Sequence, residues 1–144
     1  MKRSSRGFTL VEILIVVIIL GILAAIVIPQ FTNASSDARN SSVSSTLQTM
    51  RGQIELFKIQ HGDVPPAATA LATVLTGKTG AGDTTQAPGG AYGPYLQAFP
   101  INPLNNFATV ANTTGSAAGW VYIVNGGQYT IWATNTTGTA TVTY

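Results

Sequence analysis

The chain has 144 residues, of which 45% are hydrophobic and only 8% charged, against about 25% charged in typical globular proteins. That length allows one domain plus one membrane anchor, and the absence of cysteine excludes disulfides and thiolate metal sites. Removing Lys2, Arg3 and Arg6 from the seven basic residues leaves four against five acids, and from residue 64 onward only Lys78 and Asp83 carry side-chain charge. No basic patch is left to hold a nucleic-acid backbone by counterion release.

The N-terminus is the most specific part of the chain. A basic leader ends at Gly7, and residues 8–28 form an apolar run in which Glu12 is the sole charge. As a helix those 21 residues would be about 31 Å long, close to the hydrocarbon thickness of a bilayer. The leading Lys2, Arg3 and Arg6 place the N-terminus on the cytoplasmic side. A carboxylate in such a segment costs about 2.5–3.5 kcal/mol and calls for a partner. A conventional signal peptide, cut near Ala34 and Ser36, gives Glu12 and Pro29 no purpose. A plain uncleaved anchor leaves Glu12 unpaired. A cut between Gly7 and Phe8 would instead create an amino group one helical turn from Glu12, at i,i+4, able to pair within the chain or with a neighbour.

Gly7, Phe8, Thr9, Leu10, Glu12, Gly21 and Pro29 all fall in the pattern of the type IV pilin and type II secretion pseudopilin family, which the N-terminal segment resembles. The resemblance implies cleavage after Gly7 and N-methylation of Phe8 by a prepilin peptidase/methyltransferase. It implies storage in the bacterial inner membrane, contact with lipid and an inner-membrane assembly platform, and packing of residues 8–29 into the core of a homo-oligomeric helical fibre. There Glu12 would meet the Phe8 ammonium of a neighbouring chain. Gly21 and Pro29 weaken the helix between them, and in the family that place loosens when the subunit enters the fibre. The missing cysteines depart from many type IV pilins, which close a C-terminal loop with a disulfide.

After Pro29 the pattern stays helical and becomes amphipathic. Val43, Leu47, Met50, Ile54 and Phe57 recur at spacings of 4, 3, 4 and 3, an apolar stripe suited to packing on a sheet. His61 and Gly62 end the helix, and Pro65-Pro66 forbid its continuation. Residues 63–119 form a connecting region. A short helix is expected within residues 67–76 and an exposed loop over residues 79–90. The passage Gly93-Pro94-Tyr95-Leu96, followed by Phe99-Pro100 and Pro103, is similar to one found ahead of the sheet in major pseudopilins. Its prolines force an extended path that Tyr95, Leu96 and Phe99 can pin to the core.

The last 25 residues predict a three-stranded meander. Strands over residues 120–124 and 128–133 flank the turn Asn125-Gly126-Gly127, and residues 139–144 alternate threonine with Ala140, Val142 and Tyr144. Alternation sets an apolar face on the helix stripe and a threonine-rich face toward solvent or a neighbouring subunit. Trp120 and Trp132 read as core or sheet surface, with a sugar-binding platform as the lesser alternative. The expected fold is α+β and pilin-like: one long N-terminal helix packed on a C-terminal antiparallel sheet of about three strands. The segments are 1–7 (leader), 8–29 (membrane and fibre core), 30–62 (amphipathic half-helix), 63–119 and 120–144.

Catalytic chemistry is not indicated. His61 is the sole histidine, at a helix end where capping explains it, and Asp63 is the only acid near it in sequence. The family resemblance raises calcium, which major pseudopilins often hold in the loop near the sheet. Calcium takes six to eight oxygens, usually including carboxylates, whereas this region offers Asp83 with Asn102, Asn105 and Asn106. No cofactor is therefore expected, with calcium as the minor alternative. The resemblance points first to a pseudopilin that drives protein export in a type II secretion system. A type IV pilus subunit for adhesion, motility or uptake is the alternative. A membrane-anchored extracytoplasmic binding module is the reading from a different class.

Overall fold

The computed structural model describes residues 7–85, 89–115, 117–135 and 140–142. The elements in chain order are helix α1 (Leu10–Gln60), helix α2 (Leu71–Thr76) and strands β1 (Val110–Ala111), β2 (Trp120–Asn125), β3 (Gln128–Thr134) and β4 (Ala140–Val142). The chain divides into two compact units, Met1–Ala38 and Arg39–Tyr144. Helix α1 contributes residues to both.

In the first unit every large apolar side chain from Phe8 to Phe31 is more than half exposed. No face of this helical stretch is reserved for packing within the chain. Such a helix belongs either in lipid or in a bundle with other chains. Pro29 lies inside α1 without ending it, and a Cβ added at Gly21 would meet nothing within 4 Å. Neither residue is required by packing within the single chain.

In the second unit the predicted stripe is the core. Val43, Leu47, Met50, Ile54 and Phe57 are each 0% exposed. The first four pack with Leu71 and Leu75 of α2 and with Trp120, Tyr122, Ile131 and Ala133 of the sheet. Tyr95, Leu96 and Phe99 are half-buried against the same core, as the proline-rich passage suggested. The backbone N–H groups of Tyr95 and Leu96 both donate to the Leu75 carbonyl, at 2.9 and 2.8 Å. The Tyr95 hydroxyl donates to Gln60 Oε1 at 2.7 Å.

Helix α1 ends as the sequence suggested. Gly62 and Asp63 take positive φ values of 68° and 65°, and the Asp63 N–H reaches back to the Lys58 carbonyl at 2.8 Å. This is the six-to-one bond of a Schellman cap. Lys58 is 8% exposed; its ammonium lies 3.3 Å from Asp63 and 3.6 Å from Glu55, with the Tyr129 ring 5.8 Å away.

The sheet differs from the expected purely antiparallel one. It is four-stranded in the order β1-β2-β3-β4. Strands β2, β3 and β4 form the predicted antiparallel meander, but β1 runs parallel to β2, with Val110 opposite Trp120. Two residues of β1 carry too little periodicity to read from sequence. The β2–β3 hairpin turns on Gly126 and Gly127 at φ 57° and 82°, between paired Asn125 and Gln128. Both central residues lie at positive φ, as a type I′ turn requires.

Trp120, Val121 and Tyr122 are buried in succession, so the start of β2 is covered on both faces and does not alternate. The alternation expected over residues 139–144 concerns side chains outside the described residues. Within the loop expected over 79–90, residues 80–85 and 89–90 form no helix or strand, but Thr79 itself is buried and forms a β-bridge with Tyr92.

Candidate functional site

Of the residues singled out in the sequence, Lys2, Arg3 and Arg6 lie outside the described residues. Gly7 and Phe8 precede α1, and Phe8 is 83% exposed. Thr9 stands at the position before the helix and Glu12 three residues on.

Their side chains form a capping box. The Thr9 backbone N–H and the Thr9 hydroxyl both donate to Glu12 Oε2, each at 2.8 Å. The Glu12 N–H donates to Thr9 Oγ1 at 3.3 Å. Two N–H groups that have no partner inside the helix are thereby satisfied. A carboxylate in the first turn also complements the helix dipole. The sequence reading assigned Glu12 a role but gave Thr9 none beyond its place in the family pattern. The Thr-x-x-Glu signature ahead of an apolar run was the available signal.

With the Gly7–Phe8 peptide uncut, the Phe8 nitrogen is an amide and carries no charge. Cleavage would turn it into an ammonium adjacent to the Thr9–Glu12 box. Gly21 and Pro29 lie on the same exposed helix but are not brought to this site.

His61 sits away from any such constellation, in the second unit. Its ring is buried and stacked on Phe57, with centroids 3.8 Å apart and planes 6° from parallel. The Nδ1–H donates to the Phe57 carbonyl at 2.8 Å, because a carbonyl can only accept. The ring thus satisfies a carbonyl of the last helical turn, the capping role expected of it. Trp120 is core, and its Nε1–H donates to the Pro100 carbonyl at 2.9 Å. Trp132 lies on the opposite face of the sheet, half-buried.

The side chains suggested for calcium do not fit that ion. Asp83 is exposed, between the bridged residues Thr79 and Tyr92. Asn102 and Asn105 aim their amide nitrogens, rather than their oxygens, at nearby carbonyls. Among the described residues no three His, Asp or Glu side chains gather where a metal could be held.

Comparison with known proteins agrees with the geometry at the N-terminus. Residues 2–28 match the prokaryotic N-terminal methylation motif. The type II secretion system core protein G of Pseudomonas aeruginosa is 30% identical over 105 residues, covering 73% of this chain and 72% of that protein. Its counterpart in Klebsiella pneumoniae is 30% identical over 101 residues, 70% of each chain. The type IV narrow pilus major component PilA5 of Thermus thermophilus is 32% identical over 75 residues, 52% of this chain and 65% of that one. No solved structure matches the chain. The methylation motif over residues 2–28, an apolar helical stretch long enough to cross a membrane, and 30% identity across roughly 70% of both chains lead to one conclusion: the chain belongs to the type II secretion system core protein G family, the major pseudopilins.

Proposed function

We propose that this chain is a structural subunit of a helical pseudopilus, built from many copies of itself, that drives protein export through a type II secretion system. The observation that carries this reading is Glu12, the sole carboxylate in the apolar stretch of residues 8–28, whose every face is exposed. Before assembly, residues 8–29 hold the subunit in the bacterial inner membrane with the N-terminus cytoplasmic. A prepilin peptidase cuts after Gly7 and methylates Phe8. In the fibre the exposed apolar helices bury one another, which at about 25 cal/mol per Å² supplies the driving force. Inside that apolar bundle the Phe8 ammonium of one chain meets the Glu12 carboxylate of its neighbour. The pair cancels a buried charge and sets the axial register. Two unpaired charges in such a bundle would each cost several kcal/mol, so only the paired register is favourable. The fibre acts by growing from an inner-membrane assembly platform into the periplasm, and no catalytic step is assigned to the chain.

A surface type IV pilus is the second reading, favoured by the similarity to the pilus component of Thermus thermophilus. The intact mass of the native chain separates the two when it is taken from sheared surface material and from washed envelopes. The pseudopilus reading expects a chain beginning at N-methyl-Phe8 and confined to the envelope. The same mass in the sheared fraction would assign a surface pilus. A chain still beginning at Met1, in cells with active prepilin peptidase, would overturn both.

A further inference from the structure

We infer that Asn102, Asn105 and Thr134 form a metal-independent clasp that locks residues 102–107 onto the ends of β2 and β3, so that the head folds and stays folded without calcium. The carbonyls of Ala118 and Gly119, ahead of β2, converge with those of Thr134 and Asn135 at the end of β3. Converging carbonyls are half of a calcium site, and carboxylates complete it. No Asp or Glu occurs between residues 84 and 144. The space is filled by hydrogen-bond donors instead.

Asn102 Nδ2 donates to the Gly119 carbonyl at 2.7 Å and to the Thr134 carbonyl at 2.8 Å. Asn105 Nδ2 donates to the Ala118 carbonyl at 3.0 Å and to Thr134 Oγ1 at 2.8 Å, with the Asn135 carbonyl at 3.4 Å. The Thr134 hydroxyl lies against the Ala118 and Gly119 carbonyls. The other end of each amide is also engaged: Asn102 Oδ1 accepts the Leu104 N–H at 2.9 Å and Asn105 Oδ1 the Phe107 N–H at 3.1 Å. Both amide orientations are thus dictated by their partners. Two successive Asx-turns shape the loop that carries them.

Asn102 and Thr134 are each 0% exposed. A cation entering here would have to displace buried donors and leave them without acceptors, which is unfavourable. Gly119 belongs to the same device. A Cβ on it would lie 2.0 Å from the Phe107 carbonyl oxygen, so only glycine lets the loop approach closely enough to close.

The test uses the full-length chain in detergent micelles, followed by thermal unfolding and by proteolysis of the 100–119 segment. It compares EGTA with about 10 mM calcium chloride, enough to fill even the weak extracellular class of site. The clasp expects the same Tm and the same cleavage rate in both. Asn105→Ala, at the less buried arm, should lower Tm by about 5 °C in both solutions, without rescue by calcium. A calcium-dependent rise of several degrees in the parent chain would overturn the inference, as would an Asn105→Ala chain with unchanged Tm. The fibre reading is tested separately. A chain that makes no fibres yet keeps a calcium-independent Tm removes the fibre reading and leaves the clasp standing.

Discussion

Glu12 Oε2 accepts two hydrogen bonds from one residue, Thr9, through its backbone N–H and its hydroxyl, each at 2.8 Å. The box ties the carboxylate to the first turn of α1, a few residues from the Gly7–Phe8 bond. It uses Oε2 for this and leaves Oε1 out of the box, so the pairing proposed above would bring the ammonium to Oε1. The capping of its own helix and the pairing proposed with a neighbour would therefore use different oxygens of Glu12.

Glu12→Gln separates charge from capping. The amide keeps an acceptor for Thr9 but carries no charge, so cleavage after Gly7 should persist while fibre yield falls at least tenfold. Glu12→Ala loses both and should assemble no better. Immunoblots for processed subunit and electron microscopy of fibres measure the two steps. Normal fibres from Glu12→Gln would sink the pairing of Phe8 with Glu12.

Thr9→Val keeps the shape and the backbone N–H but removes Oγ1. Loss of a cap hydroxyl costs about 0.5–2 kcal/mol, and Glu12 Oε2 keeps only the backbone N–H of its two donors. Fibre yield should drop by an intermediate amount, with processing intact. A yield equal to that of the parent chain would confine Thr9 to helix capping.

Pro29→Ala restores the N–H that proline lacks and relieves its clash with the preceding turn, a gain of about 3 kcal/mol in a helix interior. Amide exchange around residue 29 in micelles should slow. If loosening of the helix between Gly21 and Pro29 accompanies entry into the fibre, assembly should slow as well. Unchanged assembly kinetics alongside slowed exchange would remove that role.

Leu47→Ala removes a side chain that is 0% exposed between α1 and the sheet. The expected loss is about 2–5 kcal/mol, enough to unfold much of the head at growth temperature. Thermal unfolding of the full chain measures it, and a loss below about 1 kcal/mol would contradict the packing described for this stripe.

Alkaline pH should destabilise the head through two tyrosines. Burial pushes the hydroxyls of Tyr122 and Tyr129 above the ordinary tyrosine range; a second push comes from Tyr129 on Tyr122 and from Glu55 on Tyr129. In the unfolded chain both would ionise near pH 10. The unfolded state therefore releases protons first, and stability falls as pH rises above about 10. Tyr129→Phe should reduce that fall when Tm is followed across the alkaline range.

Much of this protein was legible in the chain because its signals are local. The lone carboxylate in the apolar run, the stripe at Val43, Leu47, Met50, Ile54 and Phe57, the Gly62 cap and the Asn125-Gly126-Gly127 turn each depend on residues a few positions apart. The Thr9–Glu12 box is equally local and could have been read from Thr-x-x-Glu. Periodicity and backbone preference act over that range, so sequence by itself determined the long helix, its buried face and the β2–β3 hairpin. Tertiary structure alone decided the parallel pairing of β1 with β2, the burial of Trp120, Val121 and Tyr122 on both faces of the sheet, and the direction in which Asn102 and Asn105 point. Those amides find their acceptors 13 to 32 residues away. An asparagine in a loop offers both a donor and an acceptor. Which end matters is settled only when folding brings the carbonyls of distant strand ends against it.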